Sequence, residues 1–271
     1  MRRAALIWAV VAFLLPAMAW AQSNSGLVRL GKRDALLGWE AVGRLDLAGS
    51  GYCTGTLIAP DLVLTAAHCV YDKSTGRQIA ADQMTFRAGL RDGQAIAERR
   101  VLQIAAHSMY RPNAGMALEN VRYDVALLRL VQPISSTDAD PFIVYSGPVG
   151  AGEISVTSYG QGRSDALSRQ RRCSVVGTSG DLIAFDCDVT FGSSGAPVFM
   201  QVGNRGRILA IVSGGSTMNG QTIGLGMRLP DVVATLKADL RRNPVTAPLT
   251  AVRRVGVGAG RRDTGAKFVR P

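Results

Sequence analysis

The chain is 271 residues long, 47% hydrophobic and 19% charged, with a formal net charge of +11. That length suffices for one large or two small packed domains. The charge does not mark a nucleic-acid-binding face: Arg2 and Arg3 sit in a leader and residues 241–271 carry +7, which leaves +2 for residues 22–240.

The first 21 residues, MRRAALIWAVVAFLLPAMAWA, read as an export signal. Arg2 and Arg3 form the basic start, Ala4 to Leu15 the apolar stretch, and Ala19-Trp20-Ala21 a small-x-small cleavage site. Pro16 interrupts the apolar stretch, which is short for a membrane span. A secreted or periplasmic protein beginning near Gln22 is expected, with residues 22–38 a candidate pro-segment. Export permits disulfides. Spacing suggests Cys53 with Cys69 and Cys173 with Cys187, each closing a loop of about 15 residues. No Cys-x-x-Cys occurs and the chain has two histidines, so no metal or other cofactor is expected.

From residue 39 onward the signals are those of strands. Short β-branched and apolar runs recur between Gly, Asp and Asn turns: YCTGTLI, LVLTAA, VALLRLV, EISVTSY, LIAFDC, APVFMQV and RILAIVS. Helical periodicity appears only in DVVATLKADLRR, where Asp231 is placed to cap and Val232, Val233, Leu236 and Leu240 share a face. Many short strands and one C-terminal helix predict an all-β fold of antiparallel barrels or sandwiches. Residues 244–271 lack periodicity and read as a basic tail, whose paired arginines suit adhesion to an anionic surface.

Two serines stand side by side in TFGSSGAPV (190–198), and at most one is a nucleophile. A serine hydroxyl is weakly nucleophilic and needs a base to take its proton. His68, in VLTAAHCV, and His107, in AAHSMYRP, are the two candidates for a base near neutral pH. Asp124, in YDVALLRL, is either a turn residue before a strand or the partner that orients that base. LTAAHC, YDVALLRL and GSSGAP, in that order, resemble the motifs of the chymotrypsin-like (trypsin-like) serine proteases. The resemblance covers residues 39–240 and is nearest in look to short secreted bacterial members, similar to the glutamyl endopeptidases.

That resemblance implies two antiparallel β-barrels, residues 39–135 and 136–243, with an active site in the cleft between them. Ser194, immediately before Gly195, would be the nucleophile, His68 the base and Asp124 the group that holds the imidazole in its tautomer. The N–H groups of Gly192 and Ser194 would form the oxyanion hole. Ser193 stands where many members carry an Asp that pairs with a new N-terminus after zymogen cleavage, so that route of activation is not expected. VSGGS (212–216) resembles the segment that takes the substrate as an added strand, which gives Ser213, Gly214 and Gly215 substrate-binding roles and puts Ser213 near Asp124. Asp188, six residues before Ser194, occupies the position of a specificity carboxylate that would favour Arg or Lys in the substrate. It also reads as a turn aspartate beside Cys187. Val212 stands where glutamyl endopeptidases place a histidine, which argues against Glu selectivity. The expected function is hydrolysis of peptide or protein substrates by a secreted serine endopeptidase; the rival is a catalytically inactive binding protein on the same scaffold.

Overall fold

The computed structural model describes residues 26–245 apart from 48, 50, 151 and 219. The expected leader and the basic tail past Val245 lie outside the described residues.

Six strands close the first barrel in the order β2-β3-β4-β7-β6-β5. They are β2 (Val42–Leu47), β3 (Gly51–Ala59), β4 (Leu62–Thr65), β5 (Met84–Ala88), β6 (Ala97–Ala106) and β7 (Ala126–Leu130). β5 shows why such short segments are strands. Met84, Phe86 and Ala88 are buried while Thr85 and Arg87 between them are half-exposed, the two-residue period of a pleated chain with one face on a core. β4 is buried at all four positions, and β3 and β7 pair on its two edges. Leu45, Leu57, Leu64, Phe86 and Leu127 fill the interior.

Seven strands build the second sheet in the order β1-β9-β10-β13-β12-β11-β8. They are β1 (Leu27–Arg29), β8 (Glu153–Gly160), β9 (Arg163–Ser179), β10 (Leu182–Phe185), β11 (Pro197–Val202), β12 (Arg205–Met218) and β13 (Gln221–Met227). An additional β8–β9 pairing returns this sheet on itself and completes the two-barrel architecture that the strand pattern and the motifs predict. β9 runs for 17 residues, yet its exposed arginines hide it from a search for apolar runs.

Residues 27–36, inside the candidate pro-segment, are built into this fold. β1 pairs antiparallel with β9, and Arg29 reaches Asp165 at 2.8 Å and also Asp92 of the first barrel. Leu30 and Leu36 are buried in the main hydrophobic core, Leu36 at 1% exposure. The C-terminal helix α3, the third α-helix among the described residues after α1 (Arg33–Leu36) and α2 (Leu118–Val121), spans Pro230–Arg242. It starts two residues earlier than a cap at Asp231 would place it: Leu229 is the N-cap, Pro230 takes the first helical position, and Asp231 lies in the first turn rather than capping it. Val233, Leu236 and Leu240 are buried, and Val232 half-buried. Both cysteine pairs expected from spacing are bonded, Cys53–Cys69 and Cys173–Cys187.

Candidate active site

His68 lies in a 3-10 turn (Ala67–Val70) directly after β4. The next residue, Cys69, is bonded to Cys53 in β3, so the turn is tied to the strand beside it. Asp124 lies between α2 and β7, and is 3% exposed. A buried carboxylate must recover its lost hydration from donors. Three converge on it: the His68 backbone N–H at 2.7 Å, His68 Nδ1 at 2.7 Å and the Ser213 hydroxyl at 2.5 Å. With the carboxylate accepting from Nδ1–H, the neutral imidazole leaves Nε2 as its free acceptor. His68 faces a cleft that Ser194 also lines.

The two adjacent serines are separated by the turn itself. Ser193 has no exposed surface, and its Oγ lies 3.2 Å from Ser158 Oγ and 3.3 Å from the Thr190 N–H. Ser194 is half-exposed and borders the cleft with His68. The reversal between them needs the glycines on either side, both with left-handed backbones: φ is +87° at Gly192 and +76° at Gly195. Space demands glycine as well. A Cβ on Gly192 would lie 2.3 Å from Tyr52 Cε2, and one on Gly195 would lie 2.4 Å from the Thr54 carbonyl oxygen.

Thr54 of β3, which sequence reasoning passed over, holds this loop from the first barrel. Its Oγ1 donates to the Gly192 carbonyl at 2.8 Å, and its N–H donates to the Ser194 carbonyl at 2.9 Å. The neighbouring N–H groups of Ser193 and Gly195 bond the carbonyls of Thr190 and Val212. Among the described residues, the N–H groups of Gly192 and Ser194 have no acceptor. Free backbone donors on one loop are the kind of group that an oxyanion hole uses. The only sequence signal for Thr54 is its place next to Cys53.

Two recesses meet at Ser194. One, about 620 Å³, is walled by Val189, Thr190, Ser213, Gly214, Gly215 and Thr222 among others. The other, about 230 Å³, lies on the side of Tyr52, Tyr71 and Gln161. Phe191, 76% exposed, and Lys73 border both. β12 is paired with β13 through Gly214 and Gly215, whereas its pairing with β11 ends at Ile211. The edge of Ser213–Ser216 on the cleft side is therefore open to an added strand.

Asp188 is not brought to this cleft. Its backbone N–H is bonded to Gln170 Oε1 at 2.6 Å, it is absent from the walls of both recesses, and its charge acts on the half-buried Arg163. His107 is also elsewhere, stacked on Tyr123 with ring centroids 4.8 Å apart. Cys53, His68 and Cys69 place three ligand-type atoms within 4.8 Å, but both sulfurs are committed to the disulfide, so the group is not a metal site.

The family model described as Trypsin matches residues 31–235. A glutamyl endopeptidase of Bacillus licheniformis is 29% identical over 157 residues, 57% of this chain and 47% of that protein. Serine protease 23 of Bos taurus is 30% identical over 173 residues, 56% of this chain and 44% of its own length. A trypsin of Simulium vittatum is 30% identical over 135 residues, 47% of this chain and 50% of the other. The chain thus spans half or less of the length of these relatives. A solved structure of a Glu endopeptidase in complex with MPD superposes with a TM-score of 0.67 at 20% identity, covering 82% of this chain and 99% of that one. At that identity the likeness speaks for the fold.

Proposed function

The chain belongs to the trypsin family, and from that premise we propose that it is an exported serine endopeptidase whose nucleophile is Ser194. The observation that carries the proposal is the hydrogen-bonded series Ser213–Asp124–His68 ending at a cleft that the half-exposed Ser194 shares. Ser194 Oγ attacks the scissile carbonyl carbon while His68 Nε2 takes the hydroxyl proton. Asp124 holds the ring in the tautomer this needs and stabilises the imidazolium that forms. The charge developing on the carbonyl oxygen is met by the N–H groups of Gly192 and Ser194. Collapse of the tetrahedral adduct breaks the C–N bond, and His68 gives its proton to the departing amine. Water then attacks the acyl-enzyme, again deprotonated by His68, and Ser194 is released.

The substrate backbone adds to the open edge at Ser213–Ser216, and the side chain before the cleaved bond enters the larger recess. Val189, Thr190, Ser216 and Thr222 on its walls are uncharged, and Lys73 stands at its border. An Arg or Lys preference acting through Asp188 draws no support from that lining. The two disulfides fit an oxidising compartment.

The test is covalent labelling. A fluorophosphonate should modify the protein at Ser194, and Ser194→Ala should abolish both label and peptide hydrolysis. Label found at another serine, or turnover that persists in Ser194→Ala, overturns the assignment.

A further inference from the structure

We propose that Arg163 is a positioning residue for the oxyanion loop, holding Ser193 from beneath so that residues 192–194 keep their shape without a charged N-terminus. The proposal rests on Ser194 being the nucleophile, since that makes the N–H groups on either side of Ser193 the oxyanion donors.

Ser193 is the residue between those donors, and its hydroxyl is fully buried. A hydroxyl without access to water needs partners inside the protein. Three surround it: Ser158 Oγ at 3.2 Å, the Thr190 N–H at 3.3 Å and Arg163 Nη2 at 3.4 Å. Arg163 also donates through Nη1 to the carbonyl and the hydroxyl of Ser158, both at 3.1 Å. One planar guanidinium therefore joins strand β8 to the loop, and its fixed fork makes that bridge stiffer than a lysine ammonium could.

The turn between β8 and β9 sets the placement of Arg163. This arginine is the first residue of β9, just past the turn from β8, and its head folds back onto Gly160. A Cβ on Gly160 would come within 2.5 Å of Arg163 Cζ, so the glycine leaves the room that the guanidinium occupies. All its hydrogen-bond partners are neutral oxygens. Arg163 is half-buried, and the partial loss of hydration on neutral partners pulls its pKa down. The first opposing influence is the carboxylate of Asp188. Asp188 makes no direct ion pair with Arg163, but its charge favours the guanidinium cation.

A guanidinium that only supports the fold and one that shapes the oxyanion hole differ in what their loss changes. The decisive experiment compares Arg163→Gln and Arg163→Lys with the unaltered protein, counting competent sites by fluorophosphonate titration. For Arg163→Gln the expected result is a fall in kcat per titrated site of at least tenfold, with KM within about twofold. The affinity for a peptide boronic acid, whose adduct places an oxygen in the hole, should fall in parallel with kcat, and Arg163→Lys should recover part of both. Asp188→Asn should lower kcat in the same direction, with no change in the ratio of activities on Arg-containing and uncharged substrates. An Arg163→Gln protein with unchanged kcat per titrated site overturns the proposal, whatever happens to its thermal stability. If Arg163→Gln fails to fold, Ser193→Ala gives the same reading, because it removes the anchored hydroxyl and leaves the guanidinium in place. Unchanged kcat in that variant also overturns it. Survival of turnover in Ser194→Ala is a different failure, that of the nucleophile assignment.

Discussion

The two histidine corners of the first barrel make an instructive pair. Each histidine follows a strand, His68 after β4 and His107 after β6, and consecutive residues of one segment reach them: Asp124 bonds His68 while Tyr123 stacks on His107. At His68 a carboxylate takes Nδ1–H, leaving Nε2 turned to a cleft. At His107 the Nδ1 atom accepts from the Met109 N–H at 3.2 Å, and a tyrosine ring covers the imidazole face. Burial lowers the His107 pKa, only partly opposed by Asp239. At His68 one ring nitrogen meets a carboxylate and the ring borders a cleft; at His107 burial disfavours the charged ring. A histidine becomes a base through the acceptor behind it and the space in front of it.

Exchanging the acceptor should break this contrast most severely. Asp124→Asn offers Nδ1 an amide, which stabilises the wrong tautomer and no longer stabilises the imidazolium. A loss of about 10⁴-fold in kcat is expected, the size this change has in the type example of such a triad. Unfolding curves should show that the variant remains folded, and a loss below tenfold would assign the base elsewhere.

The His68 turn is also stapled by Cys53–Cys69, with a sequence separation of 16, and no disulfide joins the His107 turn. Replacing both cysteines by serine should cost about 3 kcal/mol by the chain-entropy account of a loop this long. Urea unfolding measures that cost. Full stability in the double variant would mean that packing alone positions the turn.

The smallest effect belongs to His107→Phe, which should leave activity and its acid limb within about twofold of the unaltered protein. Its signature is in stability. Because the folded pKa of His107 lies below its unfolded value, the unfolded chain binds the proton first on acidification. Its stabilising contribution is complete above the unfolded value, about 6.5, and declines as pH falls from there through the folded value. Thermal midpoints at neutral and mildly acidic pH should therefore differ less in His107→Phe. Loss of the acid limb of activity in that variant would instead make His107 the base.

The sequence by itself determined the strands whose apolar residues alternate or cluster, the C-terminal helix apart from its first turn, and both cysteine pairs, because these are short-range patterns of spacing and periodicity. It also carried the His68, Asp124 and Ser194 motifs, since each is a contiguous run of residues. It could not place Asp188: its influence on Arg163 depends on how the β8–β9 turn folds beneath the oxyanion loop. Nor could it single out Thr54, which meets Gly192 across 138 positions of the chain, or Ser158, which meets Ser193 across 35. The division between a buried Ser193 and a cleft-facing Ser194 was likewise a decision of the tertiary structure. Adjacent residues share their local sequence almost completely; two left-handed glycines and a threonine from the opposite barrel turn one inward and the other toward the cleft.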